Sequence, residues 1–534
     1  MEDKTKKIRF SDDHQIRVRM APSPTGFFHI GAARTTLFNY LFAKKHSGVF
    51  ILRMEDTDEE RSKKEYEKDI INNINGLGLH PDEGPEAGGD FGPYRQSERT
   101  EIYKKHLEQL LKEDKAYYCF CSPEELKARR EYQMSIGQAP KYSGKCAALS
   151  KEKAKDLIAQ GKEHVIRFRM PPQKVEFNDL IRGEIEFDTS LIGDIVIAKD
   201  PSTPLYNFAC VVDDYEMKIT HVIRGEDHIP NTPKQIMLQQ AFEFPTPEYA
   251  HLPLILGKDG SKLSKRHGAV SVSEYKKQGY LPEALVNFMA FLGWNPGTER
   301  EIFSLNSLVK EFSLERVQNS GAVFNVKRLN FLNKFYIRQK PIEKLTELCI
   351  PYLLKSGLIS HLSEEKKLTP TYGDEKEARQ YKVPDTGERI DFTKIQKIVS
   401  LYQERLETLS EIGELTNFFF KKNIEYEKEL LRWKDMSDQD LEDSIDRLEK
   451  ILHKIDESSF KKDELGKILL KEAEEFAKKI DREGDRGALL WPLRAALTGK
   501  KASAGPFEIG EVLGKEKTLK RIKQAKQFLE NETK

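Results

Sequence analysis

The chain has 534 residues, of which 33% are charged and 38% hydrophobic. This composition is typical of a globular protein and excludes a disordered or fibrous one. The length predicts three or four domains. The 88 Lys and Arg against 87 Asp and Glu leave a formal charge of +1, so a nucleic-acid-binding surface would have to be a local patch. A polar start, five cysteines and no apolar run of roughly 18 residues exclude a signal segment, a disulfide framework and a membrane helix, and we expect a cytoplasmic protein.

The first 115 residues predict half of an α/β domain behind a short extension. Residues 1–16 are polar, and we expect them to be mobile. After them, an apolar strand at 16–21 leads through a Pro/Gly-rich turn to a helix at 31–45, and a second apolar run follows at 48–54. This alternation over residues 17–115 is typical of a doubly wound sheet.

Between residues 116 and 205 the pattern changes. The segments 164–170 and 184–188 alternate apolar and polar residues with a period of two, as half-buried antiparallel strands do. We therefore interpret residues 116–205 as an inserted α+β domain.

The α/β pattern returns over residues 206–279 and completes the first domain. Strands are predicted at 218–224 and 251–256, with a helix at 232–242 between them.

From residue 280 to the end the sequence predicts charged helices, which we divide into 280–340 and 341–534. The exception is the polar segment 364–391, rich in Thr, Pro, Gly and Lys, for which we predict a long loop.

Four polar segments follow the four predicted α/β strands, at 21–32, 55–58, 224–228 and 257–266. Ligands of open α/β sheets bind beyond the carboxyl ends of the strands, so we expect the active site there. The chain has neither a Gly-x4-Gly-Lys-Ser/Thr loop nor a Gly-x-Gly-x-x-Gly fingerprint. Phosphate would therefore be bound by the free N–H groups of a helix amino terminus and by a lysine-rich loop.

Individual residues in these four segments, which we call the strand tips, are suited to binding a nucleotide. The imidazole of His29 can donate to a phosphate oxygen, Gly31 lets a flat base lie against the backbone, and Lys262 and Lys265 can follow a triphosphate on a flexible loop. Each feature alone has a structural alternative, a helix-capping histidine or a solvated turn, and only their occurrence at successive strand ends is specific.

Together, these segments and a motif near the end resemble the bacterial-type glutamyl-tRNA synthetases, a class I aminoacyl-tRNA synthetase family. The motifs are Arg19-Met-Ala-Pro-Ser-Pro-Thr-Gly26, His29-Ile-Gly-Ala32, Phe50-Ile-Leu-Arg-Met-Glu-Asp-Thr-Asp58, Gly92-Pro-Tyr-Arg-Gln-Ser97, Lys262-Leu-Ser-Lys-Arg266 and Trp491-Pro-Leu-Arg-Ala-Ala-Leu-Thr-Gly-Lys500. The resemblance covers the chain after residue 16.

The resemblance implies a Rossmann-type catalytic domain with an inserted acceptor-binding domain, followed by a helical stem-contact domain (280–340) and an all-α anticodon-binding region (341–534). It implies ligation of L-glutamate to tRNA(Glu) through glutamyl-adenylate, with ATP and Mg²⁺, by a monomer. It leaves open whether tRNA(Gln) is charged as well. The basic stretch 515–526 is either an RNA contact or a solvated helix face.

The resemblance also assigns residues. The catalytic residues are His29, Lys262 and Lys265, and the ATP-binding residues are Ser23, His29, Gly31 and Lys265. The glutamate-binding residues are Arg19, Ser23, Glu55, Tyr206, Cys210 and Arg224. In the family, the motif that begins at His29 usually ends in a second histidine, but position 32 of this chain is alanine. We interpret this as leaving more of the phosphate binding to His29 and Lys265.

Two interpretations compete for the charged residues of the tips. Arg19 and Arg224 either bind glutamate, since guanidinium binds carboxylate bidentately, or form structural ion pairs with Asp56, Asp58 or Glu226. Transfer from an adenylate needs no acid–base pair, so we interpret Asp56-Thr-Asp58 and Asp213-Asp214 as loop-fixing hydrogen-bond acceptors.

A cysteine cluster opens the insertion, with Cys119 and Cys121 followed by Cys146. Structural zinc takes four ligands and prefers closely spaced thiolates. The resemblance implies that some members of the family add a histidine ligand at the position of Ala148, and that a short relative uses a tyrosine at the position of Tyr142. We predict a structural zinc on these four side chains; the alternative is three thiols without a metal.

Three other functions fit the sequence less well. A nucleotidyltransferase with a similar His-x-Gly motif does not need about 200 helical residues after the lysine loop. A non-catalytic RNA-binding paralogue does not need intact His29, Lys265, Arg19 and Arg224. The short enzyme that glutamylates a modified base lacks the carboxyl-terminal helices.

Overall fold

The computed structural model describes residues 15–58, 60–362 and 380–532, with the backbone alone for Lys265, Asn531 and Glu532. The predicted extension, except for its last two residues, lies outside this range. The chain divides into two compact units, residues 1–277 with 281–332, and residues 278–280 with 333–534. Among the described residues, no helix is both long enough and apolar enough to cross a bilayer.

The first unit contains the predicted α/β domain and the insertion. Its strands are β1 Arg17–Met20, β2 Val49–Leu52, β3 Ala116–Cys119, β4 Val165–Phe168, β5 Lys174–Asp179, β6 Gly183–Asp188, β7 Ile195–Asp200, β8 Thr203–Pro204, β9 His221–Gly225, β10 Glu248–Leu252, β11 Ile255–Leu256 and β12 Ala322–Val323. Its helices are α1 Ile30–Lys45, α2 Lys64–Gly76, α3 Thr100–Lys112, α4 Pro123–Ser135, α5 Lys151–Ala159, α6 Tyr206–Glu216, α7 Thr232–Phe242, α8 Val272–Lys277, α9 Pro282–Ala290 and α10 Leu305–Glu311. The division between the units falls within α11, Val326–Gln339.

A six-stranded sheet with the order β2-β1-β9-β10-β5-β6 forms the centre of the first unit. Its first five strands are parallel, and β6 returns antiparallel to β5 as a hairpin. Every residue of β1 is buried, because parallel strands are covered on both faces, and its two arginines are paired with Glu83 and Asp214. The predicted strands at 16–21 and 48–54 and the helices at 31–45 and 232–242 are confirmed as β1, β2, α1 and α7.

The strand predicted at 251–256 is two strands. The first, β10, ends at Leu252, and β11 begins at Ile255 and pairs with β12. Pro253 stands between them, and a proline cannot donate to a sheet ladder. The prediction of one continuous strand was therefore wrong at this position.

The inserted segment contributes to two sheets. Strands β3, β4, β7 and β8 form an antiparallel sheet of their own, whereas the β5–β6 hairpin extends the catalytic sheet through the pair Tyr249 and Asp179. The antiparallel strands predicted at 164–170 and 184–188 are present as β4 and β6. Period-two patterning reveals that a strand is half-buried but not which strand it pairs with.

The second unit is mainly helical. Its helices are α12 Ile342–Lys355, α13 Phe392–Ser400, α14 Ile412–Phe420, α15 Lys428–Leu431, α16 Asp438–Lys454, α17 Lys462–Lys479, α18 Gly487–Thr498, α19 Pro506–Leu513 and α20 Lys515–Glu532. A small antiparallel sheet joins β13 Ser360–His361, β14 Gln380–Lys382 and β15 Arg389–Asp391.

The loop predicted for residues 364–391 is wrong at its end. Residues 363–379 lie outside the described range, but β14 and β15 pair within the segment, with Tyr381 opposite Ile390. Each strand has three residues with one buried side chain at its centre. Such a pattern is too short to distinguish a strand from a polar loop.

Candidate active site

A cleft of about 480 Å³ lies beyond the carboxyl ends of β1, β2, β9 and β10. Of the predicted residues it is lined by Arg19, Ser23, His29, Gly31, Glu55, Tyr206, Arg224 and Lys262. These residues are up to 243 positions apart in the sequence, from Arg19 to Lys262, and they meet because parallel strands end at one edge of the sheet. Lys265 begins a short 3₁₀ turn, Lys265–His267, and its side chain lies outside the described part of the chain.

His29 caps the amino terminus of α1. Its Nδ1 accepts the backbone N–H of Gly31 at 2.9 Å, so in the neutral ring the proton is on Nε2, which is left as a donor. Burial and the ammonium of Lys262 lower the pKa of His29, against the opposing charge of Glu274. A Cβ at Gly31 would lie 3.3 Å from Nδ1, so the glycine also makes room for the ring.

The prediction that α1 offers free N–H groups to phosphate is wrong for two of them. Ile30 donates to the carbonyl oxygen of Val270 at 2.8 Å, and Gly31 donates to Nδ1 of His29. The bond from Ala33 to the carbonyl oxygen of His29 at 2.9 Å is the first ordinary helical bond. This end of the helix presents the Nε2–H of His29 as a further donor, and the sequence alone did not reveal the cap.

The loop that carries His29 and the segment that follows the lysine loop are joined by backbone hydrogen bonds. Beside the Ile30–Val270 bond, Val272 donates to the carbonyl oxygen of Phe28 at 2.9 Å. Asp69 of α2 accepts from the backbone N–H of Phe28 at 2.8 Å and from the hydroxyl of Ser273. The exit of the lysine loop is thus fixed directly to the loop that carries His29.

Arg19 forms a buried ion pair, but not with a predicted partner. Its Nε and Nη2 donate to the two oxygens of Asp214 at 3.1 and 3.2 Å. Arg53 donates to the same carboxylate at 2.7 Å and to Glu55 at 3.1 Å. Burial opposes the charge of Asp214, but Arg19 and Arg53 outweigh it and lower its pKa to about 2.

The loop-fixing interpretation is wrong for Asp214, which holds two buried arginines, but Asp213 accepts from Gln96 in the segment before α3 and does fix a loop. Both lie buried in α6, where Asp213 accepts from Nε of Arg99 at 2.7 Å. Asp56 does fix a loop, since it accepts from the backbone N–H and the hydroxyl of Ser97 at 2.9 and 2.6 Å. Arg53 was missed because its carboxylate partner Asp214 is 161 positions away.

Arg224 has a different environment from Arg19. Its Nε donates to Nε2 of His251 at 3.1 Å, Nη1 to Gln235 at 2.8 Å and Nη2 to Thr232 at 2.8 Å. All three partners are uncharged when the histidine is neutral, and Arg224 is only 5% exposed. Glu226, its predicted ion-pair alternative, instead pairs with Arg182. Of the five guanidinium N–H groups, three are used within the described residues and one on each Nη remains.

The other predicted glutamate residues differ in their access to the cleft. The hydroxyl of Tyr206 lies 3.0 Å from Nδ1 of His228, which also lines the cleft and was missed as a site residue although the tip 224–228 contained it. Cys210 is 1% exposed, and its Sγ lies 3.8 Å from Nη2 of Arg19. Cys210 therefore packs behind Arg19 and is not among the residues that line the cleft.

The three cysteines of the insertion lie together, with their sulfur atoms within 4.8 Å of one another. The hydroxyl oxygen of Tyr142 is 3.3 Å from the sulfur of Cys119 and 3.5 Å from that of Cys121. The sulfurs of Cys121 and Cys146 are 3.7 Å apart. The four side chains predicted as zinc ligands therefore lie close together.

This chain is similar to known proteins over nearly its whole length. The family model described as tRNA synthetases class I (E and Q), catalytic domain, matches residues 15–331, and that of an anticodon binding domain matches residues 344–526. A glutamate–tRNA ligase from Carboxydothermus hydrogenoformans is 43% identical over 95% of this chain and 99% of its own length. One from Bacillus pumilus is 41% identical over 96% and 99%. The crystal structure of a glutamate tRNA ligase from Elizabethkingia meningosepticum in complex with its amino acid superposes with a TM-score of 0.80 at 33% identity, covering 97% of this chain and 100% of that one.

Proposed function

The chain belongs to the class I tRNA synthetases for glutamate and glutamine, and we propose that its cleft forms glutamyl-adenylate and passes the glutamyl group to tRNA. It is a ligase that charges tRNA(Glu) with L-glutamate for protein synthesis, using ATP.

The observation that carries the proposal is the environment of Arg224. A buried cation surrounded only by neutral partners is costly unless an anion joins it, and this one lies at the wall of the cleft. Its two remaining N–H groups, one on each Nη, match the two oxygens of a carboxylate. L-Glutamate supplies that carboxylate.

Arg19 would add a second cation to the same ligand. Asp214 holds its Nε and Nη2, so Nη1 is the nitrogen that remains for glutamate. Glu55 is 6% exposed and uses one oxygen for Arg53, which leaves the other for the substrate ammonium. Burial raises the pKa of Glu55 against the opposing effect of Arg53, and a bound ammonium favours the ionised form.

Two further residues that line the cleft and one behind it complete the proposed pocket. Tyr206 lines the amino-acid pocket, Ser23 lies between glutamate and the nucleotide, and Cys210 supports Arg19 from behind.

At the nucleotide end, His29 donates Nε2–H to a phosphate oxygen, and Lys262 and Lys265 neutralise the phosphates. The ionised α-carboxylate of glutamate attacks the α-phosphorus in line, the bond to the bridging oxygen breaks, and pyrophosphate leaves. A terminal ribose hydroxyl of tRNA then attacks the acyl carbon, its proton passes to a phosphate oxygen of the adenylate, and AMP leaves. Neither step needs a dedicated general base on the protein, so positioning and charge neutralisation dominate. Magnesium accompanies ATP on its phosphates.

We expect Lys265→Ala to lower glutamyl-adenylate formation about 100-fold, the scale of losing one charge contact in a transition state. The measurement is ATP–pyrophosphate exchange with tRNA(Glu) present. Lys258→Ala is the matched control, because Lys258 is an exposed lysine at the start of the same loop that does not line the cleft. A near-normal rate for the Lys265 variant would remove this lysine from the mechanism.

The function itself is tested by charging tRNA(Glu) and tRNA(Gln) transcripts side by side with glutamate. Charging of tRNA(Glu) is required by the proposal, and failure with both transcripts refutes it. The result with tRNA(Gln) decides between a discriminating and a non-discriminating enzyme. We propose, from the family resemblance, that the enzyme acts as a monomer.

We also propose that Cys119, Cys121, Cys146 and Tyr142 hold a structural zinc. Zn–S bonds of about 2.3 Å and a Zn–O bond of about 2.0 Å in a tetrahedron require S···S and S···O edges of about 3.8 and 3.5 Å. The observed 3.7 Å between Cys121 and Cys146 and 3.5 Å between Cys121 and Tyr142 meet this requirement. The guanidinium of Arg167 lies 3.9 Å from the Tyr142 ring centre, where it offsets the negative charge of such a ligand set. The bound ion would stabilise the fold of the inserted domain.

Protein purified without chelator is expected to contain about one zinc per chain, because one tetrahedral site uses all four side chains. Cys121→Ser should lose most of it, and Tyr142→Phe should bind it more weakly. Cys349→Ser, which changes a buried cysteine in the second unit, is the control and should retain the metal. Elemental analysis that finds no metal in the parent protein would establish the alternative of three free thiols.

A further inference from the structure

Behind Arg224, a line of buried hydrogen bonds crosses three neighbouring strands. Nε of Arg224, on β9, donates to Nε2 of His251, on β10, at 3.1 Å. Nδ1 of the same histidine lies 2.6 Å from Oδ2 of Asp179, the last residue of β5. His251 and Asp179 are 0% and 1% exposed. Arg224 is buried as well, so the geometry of the two hydrogen bonds is set by the surrounding protein.

The hydrogen-bond roles along this line are fixed by its two ends. The ionised carboxylate of Asp179 only accepts, so Nδ1 of His251 carries the proton. In the neutral ring Nε2 then has a free lone pair, which is what the Nε–H of Arg224 requires. Burial and Arg224 lower the pKa of His251, against the opposing effect of Asp179. Asp179 therefore selects the tautomer of His251 that accepts from Arg224.

Asp179 is itself held by the turn of the β5–β6 hairpin. Its Oδ1 accepts the backbone N–H groups of Ile181 and Arg182, both at 3.0 Å. The guanidinium of Arg182 pairs with Glu226 and donates to the carbonyl oxygen of His251 at 3.3 Å. One turn of the inserted segment thus supports both His251 and the loop that follows Arg224.

We propose that Asp179 and His251 are positioning residues, which hold the Arg224 guanidinium in the orientation that binds the glutamate carboxylate. The inference rests on the glutamate-binding role proposed for Arg224. With Nε directed at His251, the planar group is fixed about its long axis, and its free Nη hydrogens are presented together. Without this anchor only Gln235 and Thr232 hold the guanidinium, its orientation is less restrained, and the bidentate contact is weakened. The nucleotide end of the cleft does not depend on this line.

The test compares the effect of each substitution on KM for glutamate with its effect on KM for ATP. We expect His251→Leu to raise KM for glutamate about 10-fold, the scale of one hydrogen bond to a charged group, with little change in KM for ATP. His251→Gln should recover much of the loss, because its carboxamide has both a donor for Asp179 and an acceptor for Arg224. Asp179→Asn should also raise KM for glutamate, since it no longer dictates the tautomer. Tyr249→Phe is the control. Tyr249 lies on the same strand as His251, and the substitution removes its hydrogen bond with Gln239 of α7 but keeps the ring.

The outcomes separate this inference from the function on which it rests. If Arg224→Gln raises KM for glutamate while folded His251→Leu and Asp179→Asn do not, the positioning role is refuted and the proposed function stands. If Arg224→Gln has no effect on KM for glutamate, the glutamate-binding role proposed for Arg224 itself fails. In the Arg224→Gln background, His251→Leu should add nothing further, because the two residues act as one unit. Equal increases in KM for ATP and glutamate would indicate general damage and overturn the inference.

Discussion

Replacement of Arg224 by glutamine is expected to lower kcat/KM for L-glutamate about 1,000-fold, with little change in KM for ATP. The substitution removes the positive charge from a nearly buried site and leaves the substrate carboxylate without its bidentate partner. Truncating one member of a buried, hydrogen-bonded charge pair costs about 2–5 kcal/mol, and a factor of ten corresponds to about 1.4 kcal/mol. Steady-state aminoacylation of tRNA(Glu) at varied glutamate and varied ATP measures both constants.

Arg17→Gln is the matched control for this variant. Arg17 lies on β1 two residues before Arg19, is also buried and forms an ion pair with Glu83 at 2.9 Å, but it does not line the cleft. Its loss is expected to lower stability and leave KM for glutamate near that of the parent. An Arg224→Gln enzyme that retains its affinity for glutamate would contradict the account of the pocket.

The second large effect is expected on stability. Asp214→Asn should lower the free energy of unfolding of the first unit by about 3–5 kcal/mol, the loss typical of breaking a buried ion pair from one side. The carboxylate of Asp214 accepts from both Arg19 and Arg53, and all three residues are buried. Removing its charge leaves two guanidinium groups with one fewer anion. Denaturant unfolding followed by circular dichroism measures the change.

The comparison variant is Glu186→Gln. It breaks an ion pair with Lys174 of similar length, 2.8 Å, but the side chains are 51% and 70% exposed, so the expected loss is below about 1 kcal/mol. Equal losses in the two variants would show that burial does not strengthen the Asp214 network.

The pH dependence of the Asp214 contribution has a definite sign. The folded-state pKa, about 2, is lower than the value of about 3.9 for an unfolded aspartate. The stabilisation is therefore fully present above about pH 4 and is lost as the pH falls towards 2. The difference in stability between the parent and Asp214→Asn should narrow over that range.

The sequence predicts the fold and the location of the cleft because both depend on local patterns. Apolar runs such as 48–54 become buried parallel strands, and the polar tips that follow them become the walls of the cleft. The position of every tip is then dictated by the parallel topology, so that Arg19 and Arg224 meet although 205 positions separate them.

The partners of the buried charges are not predictable in the same way. Asp214 lies in α6, and nothing in its neighbourhood in the sequence indicates that it holds Arg19 and Arg53. The hairpin that places Asp179 beside His251 has an ordinary period-two pattern, which contains no information about its neighbour in the sheet. Likewise, the cap formed by His29 depends on a side-chain rotamer, which the sequence does not fix.

The most direct test of the account is a crystal structure with a non-hydrolysable glutamyl-adenylate analogue. We expect a carboxylate of the glutamyl group within about 3 Å of the free Nη nitrogens of Arg224, with Nη1 of Arg19 near it. Nε2 of His29 should donate to an oxygen of the phosphate or of its replacement. An analogue bound with its carboxylate away from both arginines, or outside the cleft, would contradict the central claim.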